Sequence, residues 1–149
     1  MNAKPRDRAE ATTALEHELS AIMRRIRRAT STRARMVDPQ LPSAAYSILR
    51  SLHENGPQRS SALAEVFAID KGAVSRQVAL LEQFGFVERA PDPEDGRAQI
   101  LTATGAAVER LREVDRLRRR WYEERLSDWS DAEIRELAVQ LGRYNAAMD

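Results

Sequence analysis

The chain has 149 residues, a formal net charge of +1 at pH 7 and 32% charged residues, so its overall charge identifies no partner. That length suits one domain with a hydrophobic core, or one domain with an added assembly element. The absence of cysteine excludes disulfides, a catalytic thiolate, a thiol redox switch and cysteine-ligated zinc. No apolar run approaches the roughly 18 residues of a membrane span, so we expect no membrane association and a cytoplasmic location.

The chain opens with helical periodicity. Apolar residues at intervals of three and four predict a first helix over residues 8–36, which the sequence "DPQLPS" ends. A second helix begins at Pro42 and stops at "NGP", because glycine and proline terminate helices. A short third helix follows, with Ser60 or Ser61 as its expected N-cap.

Only "AID" separates the third helix from a fourth. Asp70 is expected to cap this fourth helix, which runs from Lys71 to about Phe84 and stops at Gly85. A short turn between two helices is the helix-turn-helix arrangement, whose second helix can enter the major groove of DNA. An ordinary helical pair in a small core has the same pattern. The residues of the fourth helix must therefore distinguish a DNA-binding helix-turn-helix from such a pair.

The fourth helix, "DKGAVSRQVALLEQFG", has an apolar face and an outer face that is small or polar. Small residues let a helix lie close to base edges, where Arg76 can pair with guanine and Ser75 can donate to a base or a phosphate. Glu82 would face phosphates, so we expect the N-terminal half of the helix to enter the groove. A solvated face is the competing interpretation. The candidate DNA-contacting residues of this helix are Lys71, Ser75, Arg76 and Gln83.

Two short, partly β-branched segments, "FVERA" and "AQILT", flank the turn sequence "PDPEDG" and predict a two-stranded hairpin. A hairpin directly after a helix-turn-helix makes a winged helix, whose tip can insert arginine into the minor groove. Arg97 lies at the expected tip, and Asp95 is expected to hold its guanidinium in place before DNA arrives. A surface hairpin with an incidental ion pair is the alternative.

Two further helices are predicted after the hairpin. Thr102 is expected to cap a long helix over about residues 103–126, and "SDAE" at 130–133 has the spacing of a capping box that opens the last helix. The basic run "RLRRR" within the long helix is interpreted as a solvated face with glutamates nearby. The predicted regions are an N-terminal dimerisation helix (8–36), a winged helix-turn-helix (42–102) and C-terminal dimerisation helices (103–147).

The helices at the two ends of the chain carry more apolar surface than the middle can cover. A winged helix of only about 60 residues is too small to bury three further apolar stripes. We therefore expect two chains to intertwine their ends, while a six-helix monomer folded onto its own core is the competing arrangement. The residues expected in the dimer interface are Leu15, Leu19, Ile22, Leu111, Trp121, Ile134, Leu137 and Leu141.

The run "SSALAEVFAIDKGAVSRQVALLEQFGFVERAPDPEDGRAQILTATG" resembles the multiple antibiotic resistance regulator (MarR) family of bacterial transcription factors. The resemblance rests on "VSRQVALLEQFGFVER", "DPEDGR" and "LTATG", and it covers about a third of the chain. It implies a mainly α fold with a small β-hairpin wing and a homodimeric regulator on a pseudo-palindromic operator in double-stranded DNA, often released by a small aromatic ligand. We expect this regulator to act as a repressor. On the matching positions, it assigns the recognition-helix role to Ser75 and Arg76, the minor-groove role to Arg97 and its support to Asp95.

Other classes of function are less well supported by the sequence. No constellation of carboxylates, histidines or serines suggests an enzyme, and no cofactor is expected. His17 and His53 lie on different predicted helices, so no metal site is expected either. A constitutive or architectural DNA-binding protein without an effector stays open, as does a winged helix used for protein contacts. The sequence does not identify ligand-binding residues, although Tyr46, His53 and Trp121 are candidates for lining an aromatic-ligand pocket.

Overall fold

The computed structural model describes residues 5–148, which form helices and one small sheet and confirm the predicted fold class. The chain divides into two compact units, the first ending at Val114 and the second beginning at Asp115. Within the described residues, no helix combines the length and the apolar character needed to cross a membrane. The elements are α1 (Pro5–Val37), α2 (Ser43–Asn55), β1 (Gln58–Arg59), α3 (Ser60–Phe67), α4 (Lys71–Gln83), β2 (Val87–Pro91), β3 (Gln99–Ala103), α5 (Gly105–Arg125) and α6 (Asp131–Met148).

The core of the first unit is formed by apolar stripes that meet from several elements. In α4, Val74, Val78 and Leu81 recur at helical spacing and are fully buried. Burial of each such side chain contributes about 1.5–3 kcal/mol. The C-terminal end of α1 joins this core through Ala34 and Val37, which are also buried. The other elements contribute Ile48, Leu49 and Leu52 from α2, Leu63 from α3, Leu101 from β3, and Ala107, Leu111 and Val114 from α5.

The turn between α3 and α4 is as short as the sequence predicts. Ala68 adopts a left-handed conformation with φ 51°, and its N–H donates to the carbonyl of Glu65 at 3.1 Å. Asp70 is the N-cap of α4, since its carboxylate accepts the N–H of Ala73 at 2.8 Å. Gly85 has φ +70° just beyond the end of the helix. The predicted start and end of α4 are therefore confirmed.

The N-cap of α3 is Arg59, and the prediction of Ser60 or Ser61 was wrong. Arg59 is held in β1, which pairs with β3 through Gln58↔Leu101 and Arg59↔Ile100. The Arg59 side chain makes no cap hydrogen bond at this end of the helix. A two-residue strand carries no alternating pattern, which explains why the sequence did not reveal it.

The predicted hairpin is present, and it forms part of a three-stranded antiparallel sheet in the order β1-β3-β2. The register of β2 with β3 runs from Val87↔Ala103 to Pro91↔Gln99. Thr102 lies inside β3, so its prediction as the cap of α5 was wrong. Thr104 caps α5 instead, accepting the N–H of Ala107 at 3.3 Å, and its hydroxyl also donates to the carbonyl of Gly85 at 2.8 Å.

The second unit contains the end of α5 and all of α6. The predicted capping box is confirmed: the carboxylate of Glu133 accepts the N–H of Ser130 at 2.8 Å, and the N–H of Glu133 donates to the Ser130 hydroxyl at 3.3 Å. Trp121 and Tyr122 meet edge to face with ring centroids 5.2 Å apart. α6 has no buried residue, so its apolar side chains face solvent in the single chain.

Candidate nucleic-acid interface

The outer face of α4 is exposed over its whole length. Lys71, Ser75, Arg76 and Gln83, the four candidate residues of this helix, all have exposed side chains. The structure therefore brings them together on the side of α4 opposite the core. Gln77 lies towards the partly buried side, in agreement with its omission from the candidates. This face can offer two cations and several hydrogen-bond donors to one groove of a nucleic acid.

Gly72 has a packing role at the start of α4. A Cβ at this position would lie 2.9 Å from Oδ1 of Asp70 and 3.5 Å from the guanidinium of Arg76. The same Asp70 oxygen is already engaged in capping the helix. Glycine therefore leaves room for the cap and for the Arg76 side chain, which lies back along this face.

Glu82, the acid at the far end of α4, is paired with a cation on the wing. Nε of Arg89 in β2 donates to the Glu82 carboxylate at 2.7 Å, and each side chain is about one-third exposed. This pair offsets the repulsion that a lone carboxylate would exert on nearby phosphates. The local sequence pattern does not reveal the role of Arg89, because this residue reaches its partner on α4 only when the hairpin folds back.

Asp95 holds the backbone of the wing tip. Its carboxylate accepts the backbone N–H of Arg97 at 3.1 Å, and its carbonyl accepts the N–H of Ala98 at 2.8 Å. The expected contact between Asp95 and the Arg97 guanidinium is not the one observed, because the carboxylate is used in a local turn of the kind that Asp favours. Arg97 is exposed, and Asp95 orients the turn that carries it.

Asp92, which no sequence motif distinguishes from the other acids of this loop, is the buried acid of the wing. It is only 5% exposed and forms an ion pair with Nε of Arg59, the residue that precedes α3. Its other oxygen accepts the N–H of Glu94 at 2.8 Å. The Glu94 N–H and the Arg59 guanidinium lower the pKa of Asp92, and Asp92 raises the pKa of Arg59. This pair connects the start of the wing loop, just after the last β2–β3 residue pair, to the start of the helix-turn-helix.

Six of the eight expected dimer-interface residues are exposed in the single chain, and two are not. Leu111 is fully buried in the core of the first unit, so it has no area left for a second chain and its assignment is corrected. It faces inward because α5 begins in that unit. Leu19 is partly buried. The remaining expected residues are exposed: Leu15, Ile22, Trp121, Ile134, Leu137 and Leu141.

The candidate ligand-lining residues differ in their surroundings. Tyr46 is only 5% exposed and belongs to the core of the first unit, whereas His53 is partly buried. Trp121 is 50% exposed and lies in the second unit, where the Arg125 guanidinium stands 5.8 Å from its ring centroid. Packing in the core explains why Tyr46 is buried. Within residues 5–148, no three His, Asp or Glu side chains are grouped as a metal site would need.

The outer face of α4 and the wing tip lie within a region that matches a known protein family. The sequence profile of the MarR family matches residues 41–98, which contain the α4 face and the wing tip. The uncharacterised HTH-type transcriptional regulator YxaD of Bacillus subtilis is 35% identical over 133 residues, covering 89% of this chain and 92% of the relative.

Solved structures show the same fold. A crystal structure of MarR is 28% identical, with a TM-score of 0.69 over 90% of this chain and 92% of that one. A single-residue mutant of MarR from E. coli, complexed with operator DNA, is 21% identical with a TM-score of 0.58 over 85% of this chain and 95% of the mutant. The observed elements therefore correspond to those of solved winged-helix proteins.

Proposed function

Because this chain belongs to the MarR family of transcriptional regulators, which bind DNA and are not enzymes, we propose that it is a homodimeric repressor. Two chains bind a pseudo-palindromic operator, and a small aromatic ligand releases them. The observation that carries the proposal is the exposed face of α4 beside a wing whose tip presents Arg97. The pair Arg89–Glu82 joins the wing to α4, and the pair Arg59–Asp92 joins the wing to the residue that precedes α3.

Each half of the dimer would read DNA in two grooves. Arg76 would pair with the two acceptors of a guanine in the major groove, with Ser75 donating nearby and Lys71 near a phosphate. Gln83, at the far end of α4, would donate from outside the part of the helix that enters the groove. Arg97 would enter the minor groove, where the narrow, negative surface favours arginine. The solved complex of the MarR mutant with operator DNA supports this use of the fold.

Dimerisation is supported by apolar surface that the single chain leaves uncovered. α6 has no buried residue, although Ile134, Leu137 and Leu141 recur along one of its faces. Ile22 on α1 and Trp121 on α5 are exposed in the same way. Soluble monomers rarely expose extended apolar surface, and a second copy is the partner that covers such a surface by symmetry. A two-fold dimer then presents two α4 helices to two half-sites.

The experiment that tests base reading compares Arg76→Ala with Arg143→Ala, which removes an exposed arginine from α6. Binding is measured by fluorescence anisotropy on the duplex upstream of the protein's own gene and on random-sequence duplex. Arg76→Ala should cost about 1–3 kcal/mol on the operator for each half-site contact and much less on random DNA. Equal losses on both duplexes would show that Arg76 contacts a phosphate.

Release by a ligand is tested separately with the bound operator complex. Titration with a panel of aromatic carboxylic acids should lower anisotropy for at least one compound, and a reporter gene behind the operator should then be derepressed. Operator binding that no compound weakens would favour the alternative, a constitutive or architectural DNA-binding protein without an effector.

A further inference from the structure

The C-terminal part of α1 carries an uncompensated positive charge. From Leu19 to Val37 the sequence has six arginines and no aspartate or glutamate. Four of these arginines fall at i, i+3, i+4 and i+11, which places them on one side of the helix. We call this set the basic stripe: Arg24, Arg27, Arg28 and Arg35.

All four side chains of the basic stripe are exposed. Among residues 5–148, none of their guanidiniums is paired with a carboxylate, and the Arg35 guanidinium donates to the hydroxyl of Ser31 at 2.8 Å. Some exposed arginines on other helices do find acids one turn away, as Arg112 does with Glu109 and Arg135 with Asp131. The stripe therefore differs from an ordinary solvated face, in which both signs of charge alternate.

Helix electrostatics do not account for the stripe. The negative end of the helix dipole favours cations in the last turn, where Arg35 lies, but the effect fades within that turn. Arg24 and Arg28 lie further back and are one turn apart, so they repel each other along the helix. A polyanion bound along this side would relieve that repulsion.

The position of α1 limits what this partner can be. Its opposite side carries Ile22 and Ile26, both exposed, and is the apolar side available to a second copy of the chain. Ala34 and Val37 anchor the end of α1 in the same core that supports α4. The stripe is thus fixed to the unit that presents the candidate DNA-reading residues, and its side of the helix is distinct from the apolar one.

We propose that the basic stripe binds DNA phosphates as a further contact, separate from α4 and the wing and without reading bases. This inference rests on the DNA binding argued above. Arginine suits the role because its planar fork donates two parallel hydrogen bonds to phosphate oxygens. The stripe adds affinity and salt dependence, whereas specificity stays with Arg76 and Arg97.

The test compares two variants of the full chain that remove the same number of positive charges. One is Arg24→Gln/Arg28→Gln/Arg35→Gln, and the other is Arg119→Gln/Arg120→Gln/Arg143→Gln on α5 and α6. Glutamine keeps helix propensity close to that of arginine, and circular dichroism checks that both variants fold. Affinity for random-sequence duplex and for the operator duplex is measured by anisotropy over a series of salt concentrations.

The stripe variant should bind both duplexes more weakly and by the same factor. Its plot of log affinity against log salt should become shallower by about 0.9 for every phosphate that is no longer neutralised, up to about 5 for a dimer. The variant of α5 and α6 should keep the wild-type slope. Equal changes in the two variants would assign the effect to total charge, and an unchanged slope in the stripe variant would show that the stripe does not bind phosphates; either result overturns the inference.

Light scattering distinguishes a contact with DNA from the remaining explanation, a contact between the basic stripe and a second copy of the chain. Conversion of the stripe variant to monomer would show that the stripe meets acidic residues of a second copy, and the DNA contact would be rejected. Wild-type protein that binds operator and random DNA equally would instead refute sequence-specific regulation. The slopes on random DNA would still decide the role of the stripe, so the two proposals fail independently.

Discussion

Two acids of the wing, Asp92 and Asp95, have different partners although they lie close together in sequence. Asp92 is buried and pairs with Arg59, whereas Asp95 is exposed and accepts the backbone N–H of Arg97. The first connects the wing to the helix-turn-helix, and the second shapes the tip. For an arginine that must enter a groove, a fixed backbone reduces the number of conformations that binding must freeze out.

Two substitutions of Asp95 distinguish the effect of its hydrogen bond within the turn from the effect of its negative charge. Asp95→Ala removes the acceptor of the Arg97 N–H, so it should weaken operator binding by a few-fold through a looser tip. Asp95→Asn keeps an acceptor and removes a negative charge near DNA, so its binding should equal or exceed that of the wild type. Both affinities are measured by anisotropy at one salt concentration. An Asn variant as weak as the Ala variant would instead support direct orientation of the guanidinium by the charge.

Asp92 should make stability depend on pH. Its pKa in the folded chain is lowered by the Glu94 N–H and by Arg59, so its contribution is present above its ordinary pKa of 3.8 and is lost as the pH falls through the lowered value. Asp92→Asn should be less stable than the wild type at neutral pH, with a difference that narrows in acid. Urea denaturation at neutral pH and at acidic pH measures this difference in the free energy of unfolding. Glu109→Gln, which loses only an exposed pair with Arg112, is the control; a gap that persists in acid would mean that the ionised carboxylate is not the cause.

At the level of elements, helix ends show where local sequence is a sufficient guide. Asp70 and the Ser130–Glu133 box were identified correctly, because each cap bonds within its own first turn. Thr102 was chosen wrongly because pairing with β2 extends β3 through Ala103, so the next threonine takes the role of cap. A cap next to a strand depends on where strand pairing stops, which the local pattern does not contain.

The capping box gives a test at this scale. Ser130→Ala removes the hydroxyl that accepts the Glu133 N–H, so it should destabilise α6 by about 0.5–2 kcal/mol. The hydroxyl and N–H of Ser130 lower the pKa of Glu133, and acidification through that lowered pKa should therefore weaken the box in the wild type. Helicity followed by circular dichroism during thermal unfolding measures both effects. Ser127→Ala, an exposed serine just before the box, should change little; if it destabilises α6 equally, the box is not responsible.

For the whole molecule, the main feature is a chain whose second unit leaves its apolar stripe uncovered. Leu137 is 45% exposed and Leu141 is 41% exposed, on a helix with no buried residue. The chain therefore buries a core within the winged helix, whereas the apolar side chains of α6 are exposed and available to another surface. A second copy is the occupant we propose, since a two-fold axis pairs the same stripe with its own counterpart or with the exposed apolar side of α1.

Dimerisation can be tested by measuring the mass of the protein in solution and by introducing one charged residue into α6. Light scattering at micromolar concentration should give twice the 16.9 kDa of the chain. Leu137→Arg should produce monomer and weaken operator binding together, because a buried unpaired charge costs about 3 kcal/mol or more. Val139→Arg places the same charge on the opposite side of α6, where Val139 is 60% exposed, and should stay dimeric. A wild-type monomer at this concentration would refute the intertwined arrangement.

The amino-acid sequence alone determined the order of helices, the wing and the exposed face of α4. These follow from periodicity, turn residues and caps, which act between residues a few positions apart. Only the tertiary structure decided that Arg59 meets Asp92, that Leu111 faces the core, and that Asp95 bonds the backbone rather than the guanidinium. The first two depend on segments distant in sequence being brought together by packing. The third depends on which of the available donors, the backbone N–H or the guanidinium of Arg97, the folded turn leaves within reach of the Asp95 carboxylate.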